Sequence, residues 1–456
     1  MSSVYLPLAV DSAYQPLPVS KQLAVALVKA TLRNTRIKKA TLIGWPLLLV
    51  KHEKSGGYII FDETINIETK LQFVVLQDYK RIIDNLENNK NETEVLATLK
   101  SYRWKDVKGK EEEIFKGVVI DDLAPILSYG SPELPLRILE KSLTQLDVET
   151  TINDLNNREY LINENINKIN DVEGKINTIL TIIKGKRAEE RKQIEDKYNL
   201  LIQEKSELLK KSLSTSKKNL ETEILNEASK LYSKMGDIEV LIGKAELDYE
   251  ANPSLQKDLD NLISLRSKYL SEIQSKIAEI KNKYRIEIRN IVHEIESLNT
   301  QKQKELESID SKIRELDELQ KSIINQLESI KAICNDELEK IKSFYRRAPF
   351  DKDKVEVILP FLLVVDMNNN IIIVPPQIYN NTKKSSFFGF FKRDPSEMTD
   401  NMKINLNTFL NILATKYGGI EDNLRNPAIK PLIEQGLEEL YNEGWGVRRT
   451  LNEYYV

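Results

Sequence analysis

The chain has 456 residues, of which 30% are charged and only 7% aromatic, and its net charge is −3. That length leaves room for roughly three domains, and the balance suits long wet helices better than one large core. The near-neutral total excludes a polycation that grips nucleic acid with its whole surface.

A single cysteine, Cys334, excludes an internal disulfide. With only two histidines, His52 and His293, far apart in sequence, neither a metal site nor a cofactor is expected. No stretch reaches the roughly 18–20 apolar residues of a membrane span. Residues 1–3 lead into the apolar run 4–10 without a basic region, so a cytoplasmic chain is expected.

Residues 1–136 form an N-terminal α/β segment. Ser20 is placed to cap an amphipathic helix carrying Leu23, Val25, Leu27 and Val28. The apolar run 40–50, the polar turn with Gly56 and Gly57, and the run 58–61 predict a β-hairpin. A helix around 77–104 follows.

Residues 137–347 have a different texture. One proline, Pro253, interrupts a stretch otherwise free of them, as uninterrupted helix requires. Leu155, Ile162, Ile169, Ile176 and Ile183 recur every seventh residue, with Val172 and Ile179 in the companion position. Further on, Ile288, Ile295, Ile309, Leu316, Ile323 and Ile330 hold one register, broken only by Lys302. Leu306, Ile313, Leu327, Cys334 and Ile341 hold the other, with Gln320 as its exception. A sustained period of 3.5 specifies a left-handed supercoil. The turn is expected near 251–254, where Asn252 caps the second helix and Pro253 takes its first position. The returning arm would be on the order of 140 Å long at 1.5 Å per residue. Gly185, the serines of 212–216, Gly236 and Gly243 are candidate kinks. Pairing within one chain gives a hairpin; pairing between chains gives a homodimer, and the pattern permits both.

Residues 348–456 return to mixed structure. The run 355–365, a polar turn at 366–370 and the run 371–374 repeat the earlier hairpin, including a proline ahead of an apolar stretch (Pro46 and Pro360). Helices are expected at 401–417 and 428–445. A lone two-stranded hairpin is marginal in water, so the two are expected to share a core, with the helices around 77–104, 401–417 and 428–445 covering the sheet. The fold class is therefore α-dominated α+β: a long antiparallel coiled-coil hairpin with a small mixed α/β head built by the two chain ends.

This layout, terminal segments meeting below a long hairpin, resembles the structural maintenance of chromosomes (SMC) class. The resemblance covers architecture only and implies a role in chromosome organisation or beside a separate ATPase. The class's nucleotide-binding motif is missing: each Gly-Lys pair is followed by Glu111, Ile176, Arg187 or Ala245 rather than Ser or Thr. So is the CxxC zinc hook that some relatives carry.

Two features stand out as candidate contacts. The first is 383–395, where Phe387, Phe388, Phe390 and Phe391 flank a glycine beside Lys392 and Arg393. Three readings are open for it: a plug for the head core, a dock for a protein partner, or an anchor on an anionic membrane surface. The second is the basic run Lys184, Lys186 and Arg187, a solvated helix face or a phosphate contact along DNA. No catalytic constellation is apparent. The function expected is a non-catalytic scaffold that binds a protein partner. The alternatives are a peripheral membrane tether using the Phe-rich loop and an enzyme with an unrecognised site in the head.

Overall fold

The computed structural model describes residues 3–32, 35–89, 91–379, 395–402, 405–417, 421–445 and 448–456. In chain order the elements are β1 (Val4–Tyr5), β2 (Ala9–Val10), α1 (Val19–Ala30), β3 (Ile37–Lys51), β4 (Tyr58–Asp62), β5 (Glu68–Val75), α2 (Tyr79–Asn88), α3 (Glu92–Ser101), β6 (Gly109–Lys116), α4 (Ala124–Leu127) and β7 (Arg137–Ile138). Then come α5 (Gln145–Ala251), a 3-10 turn (Pro253–Leu255), α6 (Gln256–Lys342), β8 (Lys354–Asp366), β9 (Ile371–Val374), β10 (Gln377–Ile378), β11 (Ser396–Glu397), α7 (Met398–Met402), α8 (Asn407–Lys416), α9 (Lys430–Asn442) and α10 (Leu451–Tyr454). Two long helices and a small mixed-sheet region thus account for the architecture. They fall into two compact units: 1–82 with 103–172 and 326–456, and 83–102 with 173–325.

The first unit is organised by two long strands. β3 and β8 pair antiparallel along almost their whole lengths. Both are near-continuous apolar runs because both sheet faces are covered. Ala40, Leu42, Leu362 and Val364 meet α1 and α9 on one face. Ile43, Trp45, Leu47, Phe361 and Leu363 meet α4 and α8 on the other. This alternation is the period of two that a pleated strand imposes.

The sheet has an internal two-fold pattern. Gly44 faces Pro360, and Pro46 faces Ile358. The second half of each long strand takes a hairpin partner, β4 on β3 and β9 on β8. The first half takes a two-residue parallel strand: β7 beside Ile43 and Gly44, β1 beside Val357 and Ile358. These are corresponding positions, just ahead of Pro46 and Pro360. Each proline therefore sits where the outer neighbour changes. Pro46 O accepts from Glu63 N–H on that outer side, so the N–H that proline lacks is missing where no ladder bond is made.

The short strands are exchanged between the two copies. β1 precedes β3 but pairs with β8, and β7 precedes β8 but pairs with β3. Between β1 and β3 the chain makes α1; between β7 and β8 it makes α5 and α6. The long helices thus occupy the place in the second copy that a 12-residue helix occupies in the first.

In the second unit α5 and α6 lie alongside each other with opposite numbering. Asn177 bonds Gln320, Arg191 bonds Asp310, Tyr198 bonds Glu305, Lys205 bonds Glu294 and Glu223 bonds Lys283. Arg266 closes the series with Glu239. α5 ends at Ala251, and the Asn252 side chain accepts from Ser254 N–H, with Pro253 opening the 3-10 turn. α5 runs unbroken through the expected kinks at Gly185, 212–216, Gly236 and Gly243. A helical glycine costs only about 1 kcal/mol relative to alanine, too little to interrupt a helix held by its neighbours.

Two further expectations are corrected. Ser20 does not cap α1: the helix begins at Val19 after Pro18, with no side-chain cap bond, and Ser20 is a buried residue within it. Residues 77–104 do not form one helix over the sheet. α2 ends at Asn88 and α3 begins at Glu92, with Asn91 capping α3 by accepting from Thr93 N–H. Most of the segment belongs to the second unit, where Leu86 and Val95 line a cleft with Ile179 and Ile183 of α5.

Candidate functional site

The basic run on α5 is largely neutralised by its surroundings. Lys184 bonds Asp317 and, at 2.5 Å, Gln320 on α6. Arg187 pairs with Glu92 of α3 and with Glu190. Lys186 lines a cleft of about 440 Å³ that also holds Glu87 and Glu92. Lys184 and Arg187 are bonded to acids of neighbouring helices, which suits holding α3 and α6 against α5. The candidate residues Phe387, Phe388, Phe390, Phe391, Lys392 and Arg393 lie outside the described residues.

His52 is buried at the β3–β4 turn. Its Nδ1 lies 3.0 Å from Ser55 Oγ and its Nε2 3.0 Å from Asn156 Oδ1 of α5. The imidazole stacks on Tyr345, with ring centroids 4.2 Å apart. Glu159 shares the same cleft of about 310 Å³, but it accepts from the Tyr345 hydroxyl at 3.2 Å. Burial, with the nearby Glu159 charge, pushes the Tyr345 hydroxyl well above its ordinary range. Both imidazole nitrogens are therefore occupied, and the neighbouring carboxylate is bonded elsewhere. The cluster fixes the hairpin turn to α5 and to the segment that follows α6. His293 is exposed on α6, 3.1 Å from Glu296.

A second polar cluster ties the β5–β6 ribbon to both long helices. Arg158 of α5 pairs with Glu113 and, at 3.5 Å, Glu111, and lies over the Phe73 ring. Glu337 of α6 accepts from Val74 N–H at 2.8 Å. Burial raises its carboxyl above the usual carboxylate range. Cys334, one helical turn earlier, is buried, and its thiol is pushed up to about 11. A thiol held protonated is a poor nucleophile.

The surface that sequence reading passed over lies midway along α5 and α6. Between Leu208 and Leu220, α5 carries Lys210, Lys211, Lys217 and Lys218 and no acid. Between Ile280 and Asn290, α6 carries Lys281, Lys283, Arg285 and Arg289 against one acid, Glu287. The two stretches share a groove of about 320 Å³. Its floor is Leu213, Leu220, Tyr284 and Ile288; its rim is Lys217, Lys281, Arg285 and Arg289. Ser216, only 5% exposed, is the small side chain that leaves the space. Among the described residues, no acid lines the groove and none of its four cations is ion-paired; only Lys283 nearby is, to Glu223. The signal was present as two lysine pairs around 212–216, but their counterpart on α6 is remote in sequence.

Comparison with known proteins gives no matching family model, no matching curated protein and no matching solved structure. Among the described residues, no cluster of three or more His, Cys, Asp or Glu is arranged to hold a metal ion, and no helix is long and apolar enough to cross a membrane.

Proposed function

We propose that α5 and α6 form an antiparallel coiled-coil hairpin within one chain, and that the protein is a non-catalytic scaffold whose hairpin sets a distance from a head built by the chain ends. The observation that carries this reading is the series of cross-helix bonds, in which each partner on α6 falls in number as its partner on α5 rises. A seam of apolar residues with charged and polar pairs along its flanks is how a coiled coil sets register. The head supports the same reading. Its one exchanged, two-fold sheet needs both chain ends, so the polypeptide must leave and return to the same place.

Removing one heptad from α5 and the facing heptad from α6 tests the role of length. The shortened chain is expected to keep its cooperative melt and to lose function in its own cells. Full function with a shortened hairpin would show that the helices do not supply a distance.

A further inference from the structure

Several cations of the long helices are matched to an acid across a helix boundary. Lys184, Arg187, Arg191 and Lys205 all pair with carboxylates on a neighbouring helix. The four cations around the groove at Ser216 have no such partner among the described residues, and they converge on one apolar-lined groove. They frame an apolar floor, and Leu213 on that floor is 41% exposed. Exposed leucine flanked by unmatched cations has two unmet demands, one for apolar cover and one for negative charge.

We propose that this groove docks an amphipathic helix of a protein partner, with apolar residues facing Leu213, Leu220, Tyr284 and Ile288 and acidic residues facing Lys217, Lys281, Arg285 and Arg289. Such a helix joins as a third strand of the coil, its acidic flanks complementing the basic rim as charged flanking positions do in helix pairing. A volume of about 320 Å³ suits the few apolar side chains that one face of a short helix presents. A nucleic-acid duplex meets only one of the two demands. It offers phosphate to the cations but sets sugar and charge against Leu213 and Ile288. Basic residues on both sides of the groove favour a ligand that is acidic along both edges, and charge complementarity of this kind selects partner and register more than it adds affinity. The inference names the partner of the scaffold proposed above and rests on the pairing of α5 with α6.

The test uses the full chain and four fluorescent probes: a helical peptide with heptad leucines flanked by glutamates, the same peptide with lysines for glutamates, a duplex DNA oligonucleotide, and vesicles of anionic phospholipid. Anisotropy is expected to show binding of the glutamate peptide alone. Affinity should fall at least about tenfold both in Leu213→Ser and in the double variant Arg285→Glu, Arg289→Glu. The double variant should gain affinity for the lysine peptide. All three positions are exposed, so folding should be unaffected. Binding of duplex or vesicles without the glutamate peptide overturns the proposal, as does binding of none of the four. A separate control bridges Lys205→Cys to Glu294→Cys in a Cys334→Ser chain. Failure to bridge indicts the helix pairing itself, whereas bridging without peptide binding indicts the groove alone.

Discussion

Asp62 ends β4 with no exposed surface, and its carboxylate accepts five hydrogen bonds. Oδ1 takes Trp45 Nε1–H at 2.6 Å, Thr64 N–H at 2.9 Å and the Thr64 hydroxyl at 2.7 Å. Oδ2 takes Asn66 N–H at 2.8 Å and Ile67 N–H at 2.9 Å. One side chain thus orders the turn after β4 and satisfies the buried indole of Trp45, which also packs edge-on against Phe409. Asp62→Asn keeps one acceptor oxygen and sets an amide NH2 against donors at the other. In either amide orientation at least two donors lose their partner. At about 1–3 kcal/mol for each buried unsatisfied group, the expected cost is about 3–5 kcal/mol. Asp62→Ala orphans all five and should consume most of a typical stability of 5–15 kcal/mol. Urea unfolding followed by tryptophan fluorescence reads this directly. With a slope of about 3 kcal/mol/M, the asparagine variant should unfold at a midpoint lower by roughly 1 M or more. Thr64→Val, which loses the hydroxyl's bond to Asp62 and the one it accepts from Asn66 Nδ2, should cost only about 1–2 kcal/mol. An asparagine variant within about 1 kcal/mol of the parent would refute the assignment of the turn to this carboxylate.

Other outcomes follow from single positions. Gly436 lets α9 cross α1 closely: a Cβ there would stand 2.0 Å from the Ser20 carbonyl oxygen. Gly436→Ala is therefore expected to destabilise by about 3 kcal/mol or more through backbone displacement, measured by thermal melting. Gly130→Ala, where a Cβ meets nothing within 4 Å, should be mild. Burial holds Glu337 above its ordinary value of 4.5, so the folded chain binds that proton more tightly than the unfolded one. The resulting penalty is absent below the unfolded value and grows as pH rises through the folded value. Glu337→Gln keeps the acceptor for Val74 N–H and removes the titration. Its stability relative to the parent should improve between roughly pH 4 and pH 7, and a flat difference in paired denaturation curves would contradict this. Cys334, buried and pushed up to about 11, should resist iodoacetamide in the native chain near neutral pH and react fully in denaturant, as intact-mass measurement will show.

Much of this architecture was legible because it is periodic. The heptads of 155–183 and 288–341 announced the long helices, and Asn252 with Pro253 marked the break between them. The apolar runs at 40–50 and 355–365 announced β3 and β8, and the recurring proline pointed to two related hairpins. Elements without a period stayed hidden. β1 and β7 are two residues each, and their exchange between the copies is a matter of tertiary pairing that no local pattern encodes. The helix expected over 77–104 failed because Asn91 is a cap as well as a polar residue, and because Val95 and Leu86 find apolar neighbours on α5. Charge was the most misleading signal. The run at 184–187 looks basic on its own helix, yet its acids, Glu92 and Asp317, lie about a hundred residues away on other segments. The groove at Ser216 has the opposite history, since its two halves become one basic surface only through the antiparallel register.

Intrachain pairing of α5 with α6 is the claim on which the rest depends. A Cys334→Ser chain carrying Lys205→Cys and Glu294→Cys replaces an ion pair whose charged atoms lie 2.6 Å apart. It is treated at low concentration with a short bismaleimide, and its intact mass is measured. The hairpin predicts a bridged product with the mass of one chain, and no bridge when Glu272→Cys replaces Glu294→Cys. A product with the mass of two chains, or equal bridging at position 272, would contradict it.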